Sequence, residues 1–244
     1  MPKIIGISRV RNEAEIIGRC LDNVATFCDE ILIYDDCSED DTVEICKTHP
    51  QVKLVIEGFQ WEQPPDEAEG RQRKALVDEA INGRGAEWLL IFDADDYHDF
   101  SEIDLTVANA IEMRAFDFYI TSEDVDKPYY EREWMGPEYR DVMVLVAAHP
   151  GIQFAKNRGR EPRKLKPPRT RQGYIKHLGK GISVERWERL CLFYATYYGV
   201  YARKWRSRMG KAIHIVSDFN RPLIKWEDRF DESKIVSLQP KRKQ

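Results

Sequence analysis

Between residues 3 and 113 the chain changes its hydrophobic period again and again, and that alternation restricts its fold more than any other feature. "KIIGIS" (3–8), "EILIYDD" (30–36), "VKLVIE" (52–57) and "AEWLLIFDADD" (86–96) are apolar runs of strand length. Helical spacing fills the gaps. Ile16, Ile17, Leu21 and Val24 share one helical face, with Asn12 as the expected N-cap. "SEDDTVEICKTH" reads as a short capped helix, and "PDEAEGRQRKALVDEAING" as a long one that stops at Asn82-Gly83. "SEIDLTVANAIEM" (101–113) is the helix expected after the fourth strand. Strands alternating with helices imply a mainly parallel sheet covered on both faces. Such sheets bind ligands beyond the carboxyl ends of their strands. The acids lie there: Asp35 and Asp36 after the second strand, Asp93, Asp95 and Asp96 after the fourth. Two acidic strand ends then converge on one cleft.

Beyond residue 115, "FDFYITSED" and "DVMVLVAAH" read as strands, "GIQFA" and "GYIKHL" as shorter ones, and "SVERWERLCLFYATYYGVYARKW" as one long aromatic helix. From about Ser217 the chain is charged and interrupted by proline, which suggests a tail packed on the surface. A net charge of −4 argues against general nucleic-acid affinity. The longest apolar run, "VMVLVAA" (142–148), is far short of the roughly 20 residues that span a bilayer. The first residues lack the apolar core of a signal peptide, so a cytoplasmic location is expected. Cys20, Cys28, Cys37, Cys46 and Cys191 include no CxxC pair and read as small core residues in a reducing compartment.

"LLIFDADDYHDF" holds four carboxylates within seven positions, and their mutual repulsion calls for a compensating partner. Solvated loop acids are the plain explanation. A calcium-binding EF-hand loop counted from Asp93 requires Gly at its sixth position and Glu at its twelfth, where His98 and Asp104 stand. A haloacid dehalogenase-type phosphatase carries Asp-x-Asp on its first strand, whereas three strand–helix units come first here. Capture of a nucleotide diphosphate through Mg²⁺ or Mn²⁺ suits the pattern better, because these ions bridge one or two carboxylates to phosphate oxygens.

"ISRVRNEAEII", "EILIYDDCSEDDTVEI", "RQRKALVDEA" and "EWLLIFDADD" together resemble family 2 glycosyltransferases in order and spacing, over roughly residues 3–125. The resemblance implies a GT-A fold: a mixed, mostly parallel sheet flanked by helices, with a C-terminal helical extension. It implies a single domain over 1–216, with a nucleotide-sugar half (1–125) and an acceptor half (126–216), then a tail over 217–244. It also implies roles. Asp35 would accept a hydrogen bond from the nucleotide base, usually uracil, although capping the next helix is an alternative that suits Ser38 or Asp36 better. Arg11 and Glu13 would lie beside the nucleotide, and Arg73 would approach the base or diphosphate. Asp93 would contact the ribose or a metal-bound water, and Asp95 would ligate the metal. Asp96 stands where many relatives carry Glu. His177 in "KHLG" resembles a late His-x-Gly whose imidazole reaches metal or diphosphate. Relatives with that His often carry His-Glu some twenty residues earlier, whereas this chain has "GREP" there.

The implied activity is transfer of a sugar from a nucleotide-sugar donor, a UDP-sugar being favoured, to an acceptor hydroxyl with inversion. A glycan, a lipid-linked molecule or another hydroxyl compound could serve as acceptor. Mn²⁺ or Mg²⁺ would be the cofactor. The catalytic base is expected in the second half, where Asp124, Asp126, Glu138, Asp141 and Glu161 are available; Glu161 is favoured, with Asp141 the alternative. A GT-A protein that binds the donor without turning it over is the rival reading. The basic run "NRGREPRKLKPPRTRQGYIKHLGK" (157–180) reads as a solvated loop, or as a surface for the diphosphate, an anionic acceptor or an anionic membrane.

Overall fold

The computed structural model describes residues 2–62, 65–154 and 160–239, with the main chain alone over 65–67. In chain order its elements are β1 (Ile4–Val10), α1 (Ile17–Ala25), β2 (Glu30–Asp35), α2 (Thr42–Thr48), β3 (Val52–Glu57) and α3 (Pro65–Asp78). Then follow β4 (Trp88–Ile91), β5 (Asp96–Asp99), β6 (Ala110–Phe118), β7 (Trp134–Ala147), β8 (Gln153–Phe154), β9 (Pro162–Arg163) and β10 (Arg169–His177). The last are α4 (Val184–Tyr197), α5 (Ala202–Arg206), β11 (Ile224–Lys225) and β12 (Val236–Ser237). Two compact units result: Met1–Met113 with Val142–Tyr174, and Arg114–Asp141 with Ile175–Gln244.

The first unit follows the expected alternation. The strands of the larger sheet run β3-β2-β1-β4-β7-β6-β10-β5. β1 is parallel to β2 and β4, and β2 to β3, while β7 joins β4 antiparallel. This is the mixed sheet with flanking helices of a GT-A-like fold. Ile5, Ile7, Leu89 and Ile91 are fully buried, and Leu76 and Val77 of α3 pack into the same cluster. Helix α3 runs on into a π-helical turn over Glu79–Gly83, and the left-handed residue that follows is Gly85, at φ 68°.

In the second unit, β11 pairs antiparallel and β12 parallel with the first half of β7, so the last stretch of chain contributes two short strands. Ser183 caps α4 by accepting from the Arg186 amide at 3.1 Å. The Trp205 ring of α5 stacks on Tyr194 at 4.6 Å. Among the described residues no helix is long and apolar enough to cross a membrane.

Three local expectations fail for physical reasons. Residues 101–109 form turns rather than a helix, and Ala110 opens β6. Asp104 accepts from the Thr106 amide at 2.8 Å, a side-chain turn that competes with helix. Asn12 does not cap α1, which begins at Ile17. Its φ is 53°, and its side chain instead accepts from the Glu39 amide at 2.8 Å. The long aromatic helix is two helices, interrupted by a 3₁₀ turn over Gly199–Tyr201.

Candidate functional site

Parallel pairing sets Val10 opposite Asp35, so β1 and β2 end together. Asp36, 1% exposed, is held by Arg9 at one oxygen and by Gln72 Nε2 at 2.7 Å at the other, and Arg9 Nε donates to Gln72 at 2.7 Å. That closed triangle joins β1, the β2 end and α3. Arg11 donates to the Asp36 carbonyl at 2.9 Å, and its guanidinium lies 4.0 Å over Trp61. Both oxygens of Asp35 accept from Ser38, one from its amide at 2.9 Å and one from its hydroxyl. Neither Ser38 nor Asp36 caps α2; Asp40 accepts from the Thr42 amide at 3.1 Å instead. The Glu13 amide donates to Thr42 Oγ1 at 2.7 Å, pinning the start of α1 to the start of α2.

The acid run leaves β4 among arginines. Arg73 Nη2 donates to Asp93 at 2.6 Å, and its Nε to Glu69 at 3.0 Å. Arg160 bridges two acids, with Nε on Asp93 and Nη2 on Asp96 at 2.7 Å. Burial pushes the Asp93 carboxyl up, but the guanidiniums of Arg160 and Arg73 outweigh it and hold the pKa far below the usual range. Burial works against the Arg160 charge too, and Asp93 and Asp96 more than offset it, driving its pKa up. Beneath the run, the Cys20 thiol approaches the carbonyls of Asp93 at 3.5 Å and Asp96 at 3.6 Å. Burial, then the charges of Asp96, Asp95 and Asp93, push that thiol well up.

The donor set fits a hard divalent ion. Carboxylate oxygens of Asp95 and Asp96 lie within 4.8 Å of one another. Arg160 is shared by Asp93 and Asp96, and Arg73 by Asp93 and Glu69. Mg²⁺ and Mn²⁺ favour such oxygen ligands.

Glu161 is exposed and follows Arg160 directly. Asp141 is buried on β7, and its carbonyl accepts from Gln239 at 2.7 Å. Asp124 is buried in the second unit, 3.5 Å from Arg132, and Glu138 accepts from Ser217 at 2.9 Å. His177 ends β10 in the second unit, 4.0 Å from Asp117. Residues 157–159 of the basic run are outside the described residues. The rest is not one solvated loop. Lys180 pairs with Asp117 at 2.5 Å and Asp218 at 2.8 Å, while Arg160 serves the acid run. Arg9, Gln72 and Arg160 are the site residues that sequence reasoning missed; the one available signal was the cationic "GREP" in place of His-Glu.

A model described as "Glycosyl transferase family 2" matches residues 7–165. The chain belongs to that family. The match takes in Arg11, Glu13, Asp35, Arg73, Asp93, Asp95, Asp141 and Glu161, and stops before His177. An uncharacterised protein of Mycobacterium tuberculosis is 30% identical over 152 residues, covering 59% of this chain and 34% of its own. The SPbeta prophage-derived glycosyltransferase SunS of Bacillus subtilis is 28% identical over 148 residues, 59% of this chain and 31% of its own. The chain thus spans about a third of the length of these curated relatives. Among solved structures, glucosyl-3-phosphoglycerate synthase from Mycobacterium tuberculosis, in complex with Mn²⁺, uridine diphosphate and glucosyl-3-phosphoglycerate, is 11% identical. It covers 81% of this chain and 80% of its own, at a TM-score of 0.40.

Proposed function

We propose that this family 2 chain transfers a sugar from a nucleotide diphosphate sugar, a UDP-sugar being favoured, to an acceptor hydroxyl with inversion. The observation that carries the reading is the Asp93–Asp96 run, in which carboxylate oxygens of Asp95 and Asp96 lie within 4.8 Å of one another while Arg73 and Arg160 bind its acids. Asp95 holds the divalent ion, and Asp93 faces the ribose or a metal-bound water. Asp35 faces the base, with Arg11 and Glu13 beside the nucleotide. Arg73 contributes positive charge toward the base or diphosphate. His177 as a further ligand of metal or diphosphate is taken from the resemblance. When bound, Mg²⁺ or Mn²⁺ neutralises charge developing on the leaving diphosphate. Glu161 removes the acceptor proton, since it is exposed where a solvent-borne hydroxyl can reach it, whereas Asp141 is buried.

The test combines binding with turnover. UDP with Mn²⁺ should raise the melting temperature of the wild type, and Asp95→Asn should abolish that rise, because the amide removes the charge a hard cation requires. Glu161→Gln should keep the rise and lose most release of UDP from a UDP-sugar. A wild type that binds UDP-Mn²⁺ but releases no UDP with any acceptor is a donor-binding protein, not a transferase. Full turnover by Glu161→Gln moves the base to Asp141.

A further inference from the structure

We infer that Arg160 makes cation binding and diphosphate binding depend on one another at the acid run after β4. The inference rests on the donor-site reading above. The guanidinium of Arg160 joins Asp93 through Nε and Asp96 through Nη2. Asp96 is 3% exposed, so protein rather than water neutralises its charge. Two donors beside these acids are buried without a protein partner among the described residues: Nη1 of Arg160 and Nη1 of Arg73. The Arg73 side chain is 2% exposed, so its orphan donor has no ready substitute in bulk water. Two guanidiniums around Asp93 therefore each hold back an N–H for an acceptor, and phosphate oxygens match the planar fork of arginine.

The same charge opposes a metal. A divalent ion on Asp95 and Asp96 sits close to a guanidinium bonded to Asp96, and like charges in a partly desolvated site repel strongly. Arginine cannot relieve this by losing a proton. The cation alone is thus disfavoured while Arg160 is in place. A diphosphate reverses the sign, because its oxygens attract the metal and accept from the guanidinium together. Arg160 weakens metal binding to the empty site, strengthens diphosphate binding, and so makes each ligand favour the other. Linkage makes that coupling the same in both directions.

The experiment titrates Mn²⁺, followed by the electron paramagnetic resonance of the free ion, with and without UDP, and titrates UDP alone by calorimetry. The proteins are the wild type, Arg160→Gln, Arg160→Lys and Asp95→Asn, each checked for fold by circular dichroism. In the wild type, UDP should tighten Mn²⁺ binding by at least about tenfold, within the usual range of coupling between sites. Arg160→Gln should bind Mn²⁺ alone about tenfold more tightly, bind UDP alone more weakly, and lose most of the coupling. Arg160→Lys keeps the charge and should bind Mn²⁺ alone as weakly as the wild type. Mn²⁺ affinity in Arg160→Gln that is unchanged or reduced overturns the inference and leaves Arg160 a brace for the acids. Should Arg160→Gln fail to fold, the wild type still decides, since absence of coupling there also overturns it. If Asp95→Asn keeps its Mn²⁺ affinity while Arg160→Gln behaves as expected, the ligand assignment fails and the role of Arg160 stands. If no protein binds Mn²⁺ even with UDP, both fall.

Discussion

Arg73 serves two carboxylates, Glu69 and Asp93, from a position only 2% exposed. Removing one partner of a buried ion pair strands the other charge in a poor solvent, which costs more than the pair itself contributes. Asp93 is a quarter exposed, so Arg73→Met should cost about 2–4 kcal/mol, measured as a shift in urea midpoint. Arg73→Met with Glu69→Gln should recover part of that loss, because the second change removes the carboxylate that loses its guanidinium, whereas Asp93 keeps Arg160. If the double variant is no more stable than the single one, the ion pair is not what Arg73 contributes. The acidic half of this site was legible in sequence, because Asp35, Asp93 and Asp95 each end an apolar run of strand length. Its cationic half was not. Arg9 meets Asp36 across 27 residues of chain, and Arg160 meets Asp93 across 67, distances that periodicity does not encode.

Among the elements, the strongly periodic ones were readable and the ambiguous ones were not. The third strand was read as 52–57, and β3 spans Val52–Glu57. "ANAIEM" belongs to the other class. A short apolar run suits a buried strand as well as a helix turn, and β6 is buried along nearly its whole length. Asn12 misled for a related reason, since a residue with good capping chemistry also tolerates a positive φ, and here it took a loop-to-loop role. Gly173 marks a constraint on β10 that composition hides. Its φ is +71°, and a β-carbon there would lie 2.8 Å from the Asp99 carbonyl oxygen of β5. Gly173→Ala meets both strain and a backbone clash, so it should destabilise by roughly 1–3 kcal/mol. Thermal melting checks this, and an unchanged melting temperature would show that β10 is able to shift away from β5.

At the scale of the whole molecule, acid should weaken the protein, in part through His214. Its ring lies 4.9 Å from that of Tyr119 and 4.8 Å from that of Trp187, and Nδ1 is 2.7 Å from the Ala212 carbonyl. Burial lowers its pKa, against the raising effects of that carbonyl and of Asp218. An unfolded chain then takes up a proton near pH 6.5 that the folded chain refuses until lower pH. Stability is therefore full above about pH 6.5 and falls as pH drops through that value toward the lower folded pKa. His214→Gln should lose less melting temperature than the wild type between about pH 7.5 and 5.5. An equal loss in both proteins would assign the acid sensitivity to other groups. A last consequence concerns how molecules meet one another. β5 is the final strand of the sheet, and an outermost strand offers its main chain to any strand of a neighbouring molecule. Asn23 of α1 already fills that place at His98: its side-chain carbonyl accepts from the His98 amide at 2.8 Å, and its amide donates to the His98 carbonyl at 3.0 Å. One asparagine thus imitates a neighbouring strand for a single residue, guarding the rim of the sheet against edge-to-edge aggregation in crowded solution.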